Sequence, residues 1–418
     1  MRIFKFGGAS VKDAKGVQNV FQLLQKVGHE NTLIVVSAMG KTTNALELVV
    51  QHYFEQSQEL NASLQEVRKY HNQILLELFE DENHKVFKAV NNWFDELNYF
   101  LSHNKSPNYS FVYDQIVSLG EIVSTTIVSH YFNEKGLDNK WLDVRNFIKT
   151  DTTYRDAQVQ WEATQKAISQ GIEKKKLYIT QGFLGADPNH FTTTLGREGS
   201  DYSAAIFAYC LNAASVTIWK DVPGVLNADP RYFENSILLN QISYREAIEL
   251  AFYGASVIHP KTLQPLQRKE IPLLVKSFLN PELPGTKVSK GADLDPETAC
   301  FILKKNQVLL SLSSIDFSFI MEEHISEIFA LLHFYQMKVS LIQNSAISFS
   351  VCVEDKYKNL EPLQNKLAQK FQMTCRTNVE LFTIRHFTPE AIENIEKDPT
   401  VVLTQVLGKT LQVIREEK

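Results

Sequence analysis

The stretch from Thr192 to Ala205 reads Thr-Thr-Thr-Leu-Gly-Arg-Glu-Gly-Ser-Asp-Tyr-Ser-Ala-Ala, and its residue types suit an anion. Gly196 and Gly199 permit close approach of the backbone to a ligand. Arg197, between them, offers a planar fork that matches a carboxylate or a phosphate. Ser200 and Asp201 are good N-caps for a helix over Tyr202–Leu211, whose free N–H groups attract negative charge. The same composition also describes an ordinary glycine-containing loop with a capping aspartate. Other polar residues stand where strands end. Lys5 precedes Phe6-Gly7-Gly8, with Ser10 placed to cap the helix that follows. Ser37 to Asn44, including Thr43, follows an apolar run, and Lys220-Asp221 precedes Val-Pro-Gly. Gly40-Lys41-Thr42 has the tail of a P-loop, but the required first glycine falls at Val35, which excludes that motif.

These residues need elements to hold them. Leu33-Ile34-Val35-Val36 is a continuous apolar run of the buried parallel-strand kind. Further strands are expected at Ile3–Phe6, Lys140–Val144, Leu177–Thr180, Val216–Trp219 and Pro272–Val275. Helical patterns at Ala157–Ile172, Tyr202–Leu211 and Tyr244–Phe252 separate them. Alternating strands and helices predict an α/β fold with an open, mostly parallel sheet sandwiched by helices, and ligands bind beyond the carboxyl ends of such strands. A helical insertion over about 44–110 adds amphipathic segments without a catalytic cluster. Tyr113–Phe132 is a further helix whose small face (Val117, Gly120, Ser124, Thr125, Val128) carries one carboxylate, Glu121. A glycine inside a helix costs about 1 kcal/mol relative to alanine, so Gly120 points to a close approach by another element.

Pro281 to Gly291 leads out of this domain, which is expected to span 1–295. From 296 to 418 the pattern changes to an α+β region. Strands at Val308–Ser313, Val339–Ile342 and Ile347–Val353 and helices at Ile325–Tyr335 and Leu360–Phe371 make one small ferredoxin-like module. Val379–Arg385, a helix over Pro389–Lys397, Val401–Val406 and Thr410–Ile414 make a second, incomplete one.

The 418 residues are 44% hydrophobic and 22% charged, ordinary for a soluble globular protein. A net charge of −5 argues against a nucleic-acid partner. Cys210, Cys300, Cys352 and Cys375 form no Cys-x-x-Cys pair, so neither a zinc site nor a disulfide framework is expected. No signal peptide and no apolar run of membrane-spanning length stands out, and a cytoplasmic location without a membrane partner is the reading.

With those residues in view, the chain resembles the aspartate kinases of the amino-acid-kinase family. The resemblance rests on Lys5-Phe6-Gly7-Gly8-Ala9-Ser10-Val11, Ser37 to Asn44, Ser118-Leu119-Gly120-Glu121, Gln181-Gly182-Phe183 and Thr194 to Ser203. Trp219 to Gly224, Asp229-Pro230-Arg231, Gly254-Ala255, Val257 to Pro260 and Pro284-Gly285-Thr286 continue it in family order. It implies an ATP- and Mg²⁺-dependent transfer of phosphate to the side-chain carboxylate of L-aspartate, giving 4-phospho-L-aspartate. The small C-terminal modules resemble ACT domains, which implies a homodimer and an amino-acid effector.

The resemblance also implies roles. Lys5 stabilises the transferring phosphoryl group and Asp201 orients Lys5. Arg197 grips the α-carboxylate, Glu121 the α-ammonium, and Thr43 and Ser200 lie beside the substrate. Gly7, Gly8, Ser10, Ser37, Lys220, Asp221 and Arg231 serve the nucleotide. Asp221 is equally a turn-forming aspartate on the residues alone, and His259 is expected to be structural. Gln343, Asn344 and Gln405 are the regulatory candidates. Ala9 and Glu198 depart from the pattern, and Ser256 stands where many relatives carry a phosphate-contacting lysine, for which Lys220 or Lys261 could substitute. Two other functions fit less well: an amino-acid kinase for another carboxylate, and a catalytically impaired amino-acid sensor.

Overall fold

The structure, a computed structural model, describes residues 1–255, 258–291, 293–316, 318–389 and 399–416. It forms two compact units. The first takes Met1–Val225, Leu238–Ile248 and Val257–Pro296, and the second takes Leu226–Ile237, Glu249–Ser256 and Glu297–Lys418. Segments 226–237 and 249–256 thus lie inside the expected catalytic span but cluster with the second unit.

The first unit begins with β1 (Arg2–Phe6), α1 (Ala14–Val27) and β2 (Thr32–Val36). Helices α2 (Thr42–Phe54), α3 (Leu60–Leu78), α4 (Lys85–His103), α5 (Tyr109–Val117) and α6 (Leu119–Glu134) follow. Next come β3 (Lys140–Leu142), α7 (Trp161–Gly171), β4 (Tyr178–Gln181), β5 (Leu184–Ala186), β6 (Thr192–Thr194) and α8 (Gly199–Leu211). The chain continues through β7 (Ser215–Lys220), β8 (Gln241–Ser243), α9 (Tyr244–Tyr253), α10 (Pro260–Arg268), β9 (Leu273–Ser277) and β10 (Thr286–Ser289).

The main sheet runs β3-β4-β2-β1-β7-β9-β10-β8. It is parallel from β3 to β9, and β10 is antiparallel to β9. Every residue of β2 is buried, because helices cover both faces of a central parallel strand. Phe6 is level with Val36 and Trp219, and Val36 with Gln181. The loops after β1, β2, β4 and β7 therefore leave the sheet side by side.

Helix α6 is apolar or small on nearly every side and is buried along most of its length, as an all-round apolar helix must be. A Cβ on its Gly120 would meet Ala38 Cβ at 3.0 Å and Thr42 Cγ2 at 3.2 Å. The glycine lets α6 approach the turn after β2, which sets Glu121 beside that turn. The helical stretch 109–134 is long and apolar enough to cross a membrane by length and composition, contrary to the sequence reading. Its apolar window is nonetheless 89% buried inside the protein.

Several boundaries differ from expectation. Ser10 does not cap α1: it lies in a 3-10 turn over Gly8–Val11, and Asp13 Oδ1 accepts from Gly16 N at 2.7 Å instead. Ser200 and Asp201 are not caps either. Helix α8 starts at Gly199 behind Glu198, whose backbone is left-handed and whose side chain makes no cap bond. The expected helix 113–132 is two helices meeting at Ser118. Helix α10 was not foreseen; His259 caps it, its Nδ1 accepting from Lys261 N at 3.2 Å.

The second unit carries β11 (Cys300–Ser314), α11 (Glu322–Phe334), β12 (Lys338–Asn344), β13 (Ser348–Glu354), α12 (Leu360–Leu367), β14 (Phe371–Arg385), β15 (Val401–Leu407) and β16 (Thr410–Glu416). These strands form one antiparallel sheet in the order β12-β13-β11-β14-β16-β15. The long strands β11 and β14 run through it together, from Cys300 opposite Arg385 to Ser314 opposite Phe371. Residues 300–304 are thus a strand the sequence reading missed, and they extend the sheet beside β14. The helix expected over Pro389–Lys397 falls almost wholly outside the described residues, as does Ser256.

Candidate active site

The carboxyl ends of β1, β2 and β7 and the start of α8 enclose a cleft of about 340 Å³. Its wall includes Lys5, Gly8, Ser37, Ala38, Gly40, Thr43, Glu121, Ser200, Asp201 and Lys220. Phe183, Gly196, Glu198 and Gly199 complete it.

Lys5 is 9% exposed and its Nζ lies 2.7 Å from Asp201 Oδ1. The ammonium comes from the end of a central strand and the carboxylate from the first turn of α8, so neither depends on a flexible loop. Lys220, at the end of β7, places its Nζ 3.9 Å from Asp201 Oδ2. Two cations thus converge on one carboxylate at the cleft floor. Gly7 sits over this pair, and a Cβ there would lie 3.4 Å from Lys5 Nζ. Gly8 has a tighter constraint: a Cβ would come within 2.7 Å of the Ala38 carbonyl oxygen.

Glu121 enters the cleft from α6. It is 3% exposed, its Oε1 accepts from Ala38 N at 3.3 Å, and its Oε2 has no hydrogen-bond partner. Burial pushes its carboxyl up to about 8, with the Ala38 N–H and the Lys5 charge pulling the other way. A buried carboxyl with one oxygen unsatisfied is costly, and it suits a ligand that brings a cation or a donor.

A second set of polar residues holds these groups in place. Thr125 Oγ1 donates to the Glu121 carbonyl at 2.9 Å and accepts from Gln181 Nε2 at 2.6 Å and Trp141 Nε1 at 3.0 Å. Ser124 Oγ donates to the Ser37 carbonyl at 2.7 Å. Helix α6 is so tied to β4 and to the turn after β2. Asp114, fully buried on α5, accepts from Thr194 N and Thr194 Oγ1, both at 2.8 Å, and from Arg155 N. It anchors the strand that leads into the Gly196 turn. Burial raises its carboxyl to about 6, against those hydrogen bonds. The sequence signal for Asp114 is that it is the lone charged residue of α5.

The cleft therefore gathers Lys5, Gly8, Ser37, Thr43, Glu121, Ser200, Asp201 and Lys220 from the expected set. It does not include the others. Arg197 is exposed on the turn before α8, between the left-handed Gly196 and Glu198. Ser10 is buried in its own turn, with its hydroxyl unpartnered. Asp221 is exposed just beyond β7. Arg231 belongs to the second unit and pairs with Asp229 at 2.6 Å. Lys261 pairs with Asp156 and is not part of the wall. Gln343 and Asn344 lie exposed on β12, and Gln405 is half-buried on β15 with its Oε1 enclosed and unpartnered; the two strands are opposite edges of the second sheet. Among the described residues no group of three or more His, Cys, Asp or Glu side chains could hold a metal ion.

Comparison with known proteins gives this cleft a context. Lysine-sensitive aspartokinase 3 of Escherichia coli (strain K12) is 29% identical over 384 residues, covering 90% of this chain and 84% of that protein. The chloroplastic bifunctional aspartokinase/homoserine dehydrogenase 2 of Arabidopsis thaliana is 27% identical over 88% of this chain. The chain spans only 42% of that plant protein's length. The crystal structure of E. coli aspartokinase III with lysine and aspartate, in its T-state, superposes with a TM-score of 0.83 at 25% identity, covering 100% of this chain and 96% of that one. The R-state of the same enzyme, with aspartate and ADP, gives a TM-score of 0.80 over the same shares. The sequence profile of the amino acid kinase family matches residues 1–277, the span that supplies every residue of the cleft wall, and the chain belongs to that family.

Proposed function

We propose that the chain is an aspartate kinase, transferring the γ-phosphoryl group of ATP to the side-chain carboxylate of L-aspartate. The observation that carries this reading is the pairing of Lys5 and Asp201 across the cleft from the half-satisfied Glu121. The relatives that match most of the chain are aspartokinases, which supports it.

The chemistry needs little from the protein beyond charge and position. A carboxylate is ionised at neutral pH, so the nucleophile needs no general base. An aspartate Oδ attacks the γ-phosphorus, the bond to the β,γ-bridging oxygen breaks, and ADP leaves with the electron pair. The barrier lies in bringing an anion onto a polyanion. Lys5 neutralises charge on the transferring group, Asp201 holds Lys5 in place, and Lys220 faces the same phosphates. Glu121 receives the α-ammonium with its open Oε2. The N–H groups at the start of α8 and Ser200 receive a carboxylate. Arg197 takes part only if its side chain folds over the cleft from the exposed turn. Mg²⁺, which would neutralise phosphate charge, fits a site with few protein ligands, because it commonly binds through one or two carboxylates and the substrate's phosphates.

Lys220 has the better placement of the two lysines considered for the phosphates. Lys220→Ala should weaken ADP binding by about tenfold or more, the scale for a charge-assisted hydrogen bond. Lys261→Ala, which breaks an ion pair with a well-exposed partner, should change it little. Equal losses in ADP titrations of the two variants would contradict this assignment.

The second unit is regulatory and dimer-forming in this proposal, its edge strand β12 offering unpaired backbone groups to a second copy. Its first helix opens with Glu322 and Glu323 behind Met321. Carboxylates in a first turn already satisfy the helix dipole and oppose a second anion there. Free lysine or threonine, titrated alone and together into the kinase assay, should inhibit weakly. Strong inhibition by either below millimolar concentration would show that this turn still forms an effector site.

The catalytic reading is tested by ADP release with aspartate and then glutamate as acceptor. Turnover with aspartate and little with glutamate is expected; the reverse preference would assign a different carboxylate substrate.

A further inference from the structure

Glu198 is a wall residue whose charge opposes the anionic groups assigned to the cleft. It immediately precedes the first turn of α8. Oε2 is closed off from solvent without a hydrogen-bond partner, and the side chain makes no cap bond to the helix. Among the described residues Glu198 has no ion-pair partner, whereas Asp201, one turn on, is held by Lys5.

The backbone explains why the side chain stays there. Glu198 is left-handed, with φ 53° and ψ 29°, a conformation disfavoured for a residue that carries a side chain. Four bonds fix it. Gly199 N donates to the Gly196 carbonyl at 3.1 Å, and Leu195 N to the Phe183 carbonyl at 2.8 Å. Asp201 N and Tyr202 N both donate to the Glu198 carbonyl, at 3.0 and 3.1 Å. The turn is over-determined, so strain persists at a position in the cleft wall.

A helix N-terminus favours an anion, and a ligand's carboxylate or phosphate must compete there with a carboxylate already built in. Like charges brought together out of water oppose one another. We propose that Glu198 sets the affinity of the cleft for anionic ligands by repelling them, so that removing its charge tightens binding. The inference rests on the aspartate reading for the identity of the ligand, and on the position of Glu198 for the sign of the effect.

The test is calorimetric titration of the full chain with L-aspartate and, separately, with inorganic phosphate, at low and high salt. Glu198→Gln keeps the shape and removes the charge. It should bind each anion about tenfold more tightly than wild type, or 1.4 kcal/mol. The gain should shrink at high salt, which screens charge but not shape. Glu198→Asp keeps the charge and should stay near wild type. Glu198→Gly removes both charge and strain and separates the two: tightening by Gly but not by Gln would make strain the cause and overturn the proposal. Unchanged binding in Glu198→Gln would also overturn it. Weaker binding would do so too, and would make Glu198 a partner for a ligand's cationic group. If aspartate fails to bind any form while phosphate binds Glu198→Gln more tightly, the aspartate reading falls and the inference stands.

Discussion

Lys5→Met should lower kcat by about 10²–10³, the scale for losing one preorganised donor to a developing charge, while the aspartate KM stays near its wild-type value. Methionine keeps the apolar stem that lies along β1 between Phe4 and Phe6, so the fold should survive. What it removes is the charge 2.7 Å from Asp201. Lys220, 3.9 Å from the other oxygen of that carboxylate, keeps Asp201 from becoming an unpaired buried charge. The effect should therefore fall on the chemical step and not on stability. Thermal unfolding run beside steady-state kinetics checks both halves, and near-normal turnover in a folded variant would remove Lys5 from the catalytic set.

Glu121→Gln should raise the aspartate KM by roughly 10- to 150-fold, the equivalent of the 1.5–3 kcal/mol carried by a hydrogen bond to a charged group. The pH dependence makes this specific. Glu121 is held neutral up to about 8 in the free enzyme, against 4.5 for an ordinary glutamate. Between those values the native state keeps a proton that the unfolded chain has lost, so its contribution to stability falls as pH rises through that window. Binding runs the other way. An ammonium beside Oε2 favours the ionised carboxylate, so aspartate must expel the proton at any pH below about 8. The wild-type aspartate KM should therefore fall as pH rises towards 8 and level off above it. In Glu121→Gln that slope should vanish. A variant that keeps the wild-type pH profile would place the ammonium elsewhere.

The parts of this site legible in the sequence are those fixed by local chemistry. The all-apolar Leu33–Val36 reads as a buried parallel strand, and Gly120 on a small helix face indicates a close approach by another element, which the structure identifies as the turn at Ala38. Lys5 was legible at its strand end before Gly7-Gly8, whereas Glu121 on the residues alone reads as a partly exposed helix glutamate and gains a site role only through the family resemblance. Residues on turns were not legible. The exposure of Arg197 and the left-handed backbone of Glu198 beside it are not signalled by their residue types. Ser10 was misjudged as a cap because Asp13, three residues later, is the better acceptor for Gly16 N. Strand β11 was cut short because Lys304-Lys305-Asn306 interrupts its apolar alternation, and the structure places a register shift there with Asn306 at φ 54°. Asp114 and Gln181 matter through partners far along the chain, which no local pattern reveals.

If this cleft phosphorylates a carboxylate, its product is an acyl phosphate. An acyl phosphate reacts with hydroxylamine, so the chain incubated with ATP, Mg²⁺, L-aspartate and hydroxylamine should form aspartyl hydroxamate in step with ADP. ADP released without hydroxamate, or hydroxamate formed equally by Lys5→Met, would contradict the account.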